Sequence, residues 1–241
     1  MGKRITQQAR GKGSLTFKVR PRAYRYKISY APAYVEGEAK IIKLFNSAGH
    51  SSPLAEIEIT SSSKDETGKI VRFIVPAAEG VYEGQEIYIG KRSENKDSEI
   101  GDILKLKDIK QGTKMFNIES IPGNGGKLLR SAGSSAIVTD NNEIQIKRRK
   151  IKLHENCRAV IGQAAGDGRL IKPLVKAGKQ HYRMRALGRK WHRTSAVKVN
   201  AIDHPFGGGR GKRIKSKIAK RNAPPGKKVG HIRPSKTGRK R

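Results

Sequence analysis

The chain has 241 residues, 53 of them lysine or arginine against 20 aspartate or glutamate, for a formal net charge of +33. So basic a chain calls for a polyanionic partner, and the lack of any apolar run near the roughly 20 residues that span a bilayer, or of an apolar signal segment in residues 1–10, turns the reading from membranes to nucleic acid and a cytoplasmic setting. The one cysteine, Cys157, excludes an internal disulfide and a cysteine-built zinc cluster, and its apolar flank makes it a small core residue rather than a reactive thiol.

The charge is uneven. Residues 1–30 hold nine basic residues and no acid, residues 181–241 hold twenty and one acid (Asp203), and residues 31–180 hold twenty-four and nineteen. A balanced middle can fold as a globule, whereas the ends repel themselves until a polyanion neutralises them. The expected organisation is therefore a basic N-terminal extension (1–35), two small folded segments (36–92 and 93–180) and a basic extension (181–241).

In chain order, residues 1–34 are glycine-rich and basic, with Tyr24, Tyr26 and Tyr30 set among Arg22, Arg25 and Lys27. That pattern suits an arm whose cations meet phosphates and whose rings stack on bases; the alternative is a soluble arm whose tyrosines cap the next domain. Short alternating strands follow at 39–44, 55–60, 70–75 and 86–89. Ile57 and Ile59 alternate with Glu56 and Glu58, a period of two with one buried face, and Gly68, Pro76, Gly80 and Gly84 punctuate the strands. A small β-barrel is the economical reading, and an oligonucleotide-binding barrel fits without being distinguished from other small barrels.

After a polar link at 91–99, a second β unit is expected. Ile103, Leu104 and Leu106 open it, Met115, Phe116 and Ile118 continue it, and 136–139 with 143–147 form a hairpin around Asp140, Asn141 and Asn142. The run Lys147, Arg148, Arg149, Lys150 is either a solvated strand edge or, as favoured in so basic a chain, a phosphate-contacting ridge. Beyond Gly178 ordinary folding signals fade, and Arg183, Arg185, Arg189, Lys190 and Arg193 crowd around Trp191. Gly207, Gly208, Gly209, Pro224, Pro225 and Gly226 exclude long helices from 201–241. There the backbone can approach RNA phosphates closely.

Motifs for catalysis are weak. The string G-G-G-R-G-K-R at 207–213 lacks the glycine six positions before Lys212, where Phe206 stands, and the hydroxyl after it, where Arg213 stands, so it is no phosphate loop. His50, His154, His181, His192, His204 and His231 are too scattered for a metal set, no serine sits in a nucleophile elbow, and neither metal nor cofactor is expected. Asp203 and His204, just before three glycines, admit acid–base work. They equally admit a hydrogen bond to phosphate or ribose with Asp203 orienting the ring, and no companion nucleophile is visible.

Residues 121–133 read I-P-G-N-G-G-K-L-L-R-S-A-G and resemble the P-G-x-G-G-x-L-x-R-S-A-G segment of the universal ribosomal protein L-two family; residues 199–209, V-N-A-I-D-H-P-F-G-G-G, resemble its N-x-V-D-H-P-x-G-G-G segment. G-K-R-I at 2–5, R-N-A-P-P-G-K-K-V-G at 221–230 and T-G-R-K-R at 237–241 are similar to archaeal and eukaryotic members, so the resemblance covers the whole chain, in the archaeal form. It implies a mainly β protein, with an oligonucleotide-binding-type barrel, then an SH3-like barrel, and both extensions running into large-subunit ribosomal RNA. It also implies a structural, non-enzymatic role in translation. Such a protein supports assembly, subunit association, transfer RNA binding and the peptidyl transferase centre, as a monomer among neighbouring ribosomal proteins.

The RNA contacts so expected are Arg130, with Lys127, Gly125 and Gly126 of the glycine-rich segment, and His50, which stands where the family usually has an arginine. Arg148 and Arg149 join them from the ridge, Arg189, Lys190 and Arg193 from the basic run, and His204, Gly207, Gly208, Gly209 and Arg210 from the second segment. His204 matches the histidine once proposed to assist peptide transfer, and Phe206 replaces a second histidine of the bacterial form. Two other readings stay open: acyl transfer aided by His204, and general nucleic-acid packaging.

Overall fold

Residues alternating between isoleucine and glutamate, as at 54–59, make a strand with one dry face. The computed structural model describes residues 2–5, 8, 21, 23–60, 71–90, 98–140, 143–189, 191–192, 194–209, 218–224 and 228–232. Strand β1 (Gly37–Phe45) pairs antiparallel with β2 (Leu54–Ile59) on one side and β4 (Glu86–Ile89) on the other, and β2 pairs with β3 (Arg72–Pro76). Ile57 and Ile59 are buried while Glu56 and Glu58 keep partial access to solvent. A register shift between Ile41 and Lys43 puts a bulge in β1 that turns Ile42 outward; such a bulge bends its strand and sharpens the sheet's twist.

The second half follows other rules. It contains β5 (Ile103–Lys105), β6 (Lys114–Phe116), the hairpin strands β7 (Ala136–Asp140) and β8 (Glu143–Ile146), β9 (Arg149–Lys152) and β10 (Arg158–Ile161). One parallel pair, Ile89 with Ile103, joins the halves into a ten-stranded sheet ordered β3-β2-β1-β4-β5-β10-β6-β7-β8-β9. The protein is mainly β, as its turn-punctuated apolar runs foretell.

Two hydrophobic cores lie on this sheet. The first gathers Ile41, Ile57, Phe73, Val75, Ile87 and Ile89 with Ile103, Phe116 and Val160 from the second half, and the other holds Leu104, Leu106, Met115, Ile118, Val138, Ile144, Cys157, Ala159 and Ile161. Neighbouring residues of β5, β6 and β10 therefore feed opposite cores. A strand dry on both faces need not alternate with polar residues: 158–161 is buried throughout, with Ala159, Val160 and Ile161 in succession after the buried Arg158. Cys157 sits inside the second core, fully buried.

The chain divides into two compact units, Arg20–Leu187 on the one hand and Met1–Val19 with Gly188–Arg241 on the other. The first unit ends in a helix that the fading folding signals did not announce, α1 (Ala177–Ala186), none of whose residues is buried. In the other unit β11 (Ile218–Ala219) and β12 (His231–Ile232) form a short parallel pair. Arg22, Ile70, the link at 91–97, the hairpin tip Asn141–Asn142, and Lys190, Arg193 and Arg210 lie outside the described residues.

Candidate nucleic-acid interface

The glycine-rich segment leaves the sheet after β6 and returns through an isolated bridge between Ile118 and Leu128. Its shape is set from beneath by Glu119, a fully buried carboxylate that accepts the Gly123 N–H at 3.3 Å and the Gly125 N–H at 3.0 Å. Lys127 and Leu128 donate their N–H groups to the Ile118 carbonyl at 2.8 and 2.9 Å, closing the loop. Gly126, at φ 74°, lies directly on Asn117; a Cβ there would come within 2.6 Å of the Asn117 carbonyl oxygen, so the position admits only glycine. Gly125 and Gly126 are buried, Lys127 is exposed, and Arg130 is half-buried with its Nη1 donating to the Gly126 carbonyl at 3.3 Å.

Under this loop the carboxylate meets Arg158, itself buried. Arg158 donates its backbone N–H to Glu119 at 2.9 Å and its Nη2 at 3.1 Å, and its Nη1 reaches back to the Ala31 carbonyl at 2.8 Å. The guanidinium lies 5.1 Å from the centre of the Tyr30 ring. Burial pushes the Glu119 carboxyl up, but the hydrogen bonds from Arg158 and Gly125 and the charge of Arg158 outweigh it and hold the group below the usual carboxylate range. Tyr30 donates its hydroxyl to the Asn117 carbonyl, and burial, with Glu119 nearby, holds the phenol protonated.

A second loop, 46–53, comes from the β1–β2 turn. His50 donates its backbone N–H to the Ser47 carbonyl at 3.1 Å and shares a 2.9 Å hydrogen bond between its Nδ1 and the Ser47 hydroxyl; the Tyr24 ring meets the imidazole edge-on at 5.5 Å. Ser51 accepts the Ala132 N–H at 3.1 Å, stitching the two loops together. His50 and Arg130 are thereby neighbours. Burial first, and the Arg130 charge second, pull the His50 pKa below the ordinary histidine value. Burial likewise pulls Arg130 down, with Tyr30 opposing it. Among the described residues no carboxylate pairs with Arg130. A half-desolvated guanidinium without an anion is an electrostatic demand for one.

The three tyrosines of the arm have different fates. Tyr24 is 48% exposed and open to a stacking base, Tyr26 packs on Phe45 with 4.6 Å between ring centres, and Tyr30 is buried. Of the two readings of the arm, Tyr30 follows the one in which a tyrosine caps the next domain: its ring belongs to the core beneath the loop. Arg148, in the β8–β9 turn, and Arg149, the first residue of β9, are exposed at the far edge of the sheet, where Lys150 pairs with Glu143 at 3.2 Å.

In the other unit, Arg189 is exposed, and His204 opens a tight turn in which the Gly207 N–H donates to the His204 carbonyl at 2.8 Å. A Cβ on Gly207 would overlap the Asn200 and Val199 carbonyl oxygens, which explains the glycine. Gly208 donates its N–H to Val199 at 3.1 Å, and Gly209 is exposed. The His204 ring is oriented by its own turn: Nδ1 accepts the Phe206 N–H at 3.0 Å. The Asp203 carboxylate instead takes Lys3 at 3.0 Å. With Nδ1 used as an acceptor, the neutral ring carries its proton on Nε2 and can donate from that atom.

No sequence pattern marks Glu119 and Arg158. They are far apart in the chain and carry no motif between them; the only trace is a charged residue at each end of apolar strings, Glu119 after Ile118 and Arg158 before Ala159.

A family model described as ribosomal proteins L2, C-terminal domain, matches residues 99–226. Over its whole length the chain is similar to the large ribosomal subunit protein uL2 of Archaeoglobus fulgidus, 39% identical over 250 residues and covering 100% of both chains. It is similar to the protein of that name from Methanocaldococcus jannaschii at 40% over 251 residues, with 99% of each chain covered. With that of Haloarcula marismortui it shares 39% identity over 249 residues, covering 99% of this chain and 98% of the other.

Proposed function

This chain belongs to the L2 family of ribosomal proteins in its archaeal form, and from that premise we propose that it binds large-subunit ribosomal RNA directly through the two loops that meet at Arg130 and His50. It is a structural protein of the large ribosomal subunit in the cytoplasm, taking part in translation. The finer reading is ours. Residues 36–92 and 93–180 present an oligonucleotide-binding-type and an SH3-like segment to RNA, and the basic extensions 1–35 and 181–241 thread along it. As a monomer among neighbouring ribosomal proteins, the protein supports subunit assembly and association, transfer RNA binding and the surroundings of the peptidyl transferase centre. It performs no chemistry itself, and His204 contributes a hydrogen bond rather than proton transfer.

The observation that carries the reading is Arg130: a half-buried guanidinium beside a second basic side chain, without a carboxylate among the described residues, under a rim that offers exposed Lys127 and Tyr24. Phosphate supplies the missing charge, and A-form or irregular RNA supplies the shape. Binding of the full chain to large-subunit ribosomal RNA fragments and to duplex DNA across a salt series tests it. One fragment should be preferred, and Arg130→Ala should weaken that fragment by more than a single generic phosphate contact would. Equal binding to all polyanions, unaffected by Arg130→Ala, would reduce the protein to a generic polycation.

A further inference from the structure

A protein with so large a positive charge keeps one carboxylate wholly buried directly under the loop read as facing RNA, paired there with a buried arginine. Glu119 binds two amides of the glycine-rich loop on one side and Arg158 on the other. Arg158 in turn binds Ala31 and lies over the Tyr30 ring. Tyr30 reaches the Asn117 carbonyl, on which Gly126 rests, and Gly126 holds Arg130. The contacts form a closed circuit through three chain segments remote in sequence, 30–32, 117–130 and 158. Every polar atom on the Glu119 carboxylate is engaged inward, so the loop's inner amides face protein and its rim, with Lys127, faces solvent.

We propose that Glu119 and Arg158 are positioning residues for RNA recognition, which fix the height and orientation of the glycine-rich loop and, through Tyr30, Asn117 and Gly126, the guanidinium of Arg130. The inference rests on the RNA-binding reading given above. It assigns a recognition role to an acid that by charge alone opposes RNA. Neither residue touches RNA; each acts through the loop. The N-terminal arm is bound into the same circuit at Ala31, so an arm ordered on RNA and a loop ordered on RNA hold each other in place.

The test uses the sign of the effect. Glu119→Gln makes the full-length chain more positive by one charge, so a purely electrostatic account has it bind every polyanion as tightly as before or more tightly. Positioning has the opposite consequence for the specific site. Affinity for the preferred ribosomal RNA fragment should fall by about fivefold or more, the scale of losing one well-aligned charge-assisted hydrogen bond, while affinity for duplex DNA at the same salt does not fall. In the free protein the Gly123 and Gly125 amides should exchange with deuterium faster than in wild type. In an Arg130→Ala background the further loss on adding Glu119→Gln should vanish, since the effect runs through that guanidinium.

Tyr30→Phe, which deletes only the hydroxyl bond to Asn117, decides the matter if Glu119→Gln does not fold: it too should lower specific affinity and spare duplex DNA. Folded Glu119→Gln with unchanged or tighter specific binding overturns the proposal, as does an unaffected Tyr30→Phe where Glu119→Gln is unfolded. Wild type and Arg130→Ala run alongside: if wild type prefers no fragment, the functional reading fails and this inference with it, whereas a preference lost in Arg130→Ala and kept in Glu119→Gln removes the inference alone.

Discussion

His50 and Arg130, carried by loops on different strands, lie close enough for the guanidinium to act on the imidazole; burial first, and that charge second, hold the His50 pKa below the ordinary histidine value. Arg130→Gln should therefore raise the His50 titration midpoint, measured by NMR, towards but not up to the unperturbed value of about 6.5, since burial remains. A phosphate set between the two would favour the imidazolium. Specific RNA binding should then take up a proton and strengthen as pH is lowered from about 7 to about 5.5, a slope that His50→Gln abolishes.

Acid should unfold the first unit partly through Glu119. The folded-state pKa of this carboxyl lies below its unfolded value, so its contribution is complete above the unfolded value of about 4.3 and is lost as pH falls through the folded one. Denaturant unfolding between about pH 5 and pH 2 should show stability dropping with acid. In Glu119→Gln that drop should be shallower, from a starting stability lower by roughly 3–5 kcal/mol because Arg158 is left buried without its counter-charge.

Cys157 is fully buried, and burial, with Glu119 nearby, pushes its thiol pKa up while a hydrogen bond within the His154 turn opposes it. A thiol reagent should therefore leave the native protein untouched and label it only at the rate of unfolding. Labelling as fast as that of a free thiol would contradict the packing of the second core.

The tautomer of His204 can be read directly. Nitrogen-15 NMR should find Nδ1 unprotonated and Nε2 carrying the proton, because Nδ1 accepts the Phe206 N–H. Ribosomes assembled with His204→Gln should keep peptide-bond formation, since the glutamine amide can still donate from a similar position. A loss of several orders of magnitude in a normally assembled particle would restore the proton-transfer reading.

How much of this was legible beforehand depends on the faces of each strand. The run 86–89 is expected and observed with the same limits, and Ile57 and Ile59 point inward as their alternation with glutamates requires. Where strands are dry on both sides, as in β5, β6 and β10, alternation is absent and only short apolar clusters signal them. Helix α1 has no apolar stripe at all, so no periodicity could announce it. The loops around Arg130 and His50 were readable through glycine spacing and family likeness. The Glu119–Arg158 pair was not, because a contact between residues so distant in the chain leaves no local pattern. The burial of Tyr30 is unreadable for the same reason: its neighbour Arg158 is 128 positions away in the numbering.

The sharing of β5, β6 and β10 between two cores means that the halves have a party wall. Ile103, Phe116 and Val160 complete the core of the first half although they are encoded in the second. A gene cut after residue 92 would therefore not yield two miniature proteins: the first fragment would lack three of its interior side chains, and the second would turn those same side chains out to water. The charge boundaries divide the chain into segments of different composition, but in folding residues 36–161 stand or fall together, and a single cooperative unfolding transition should span them.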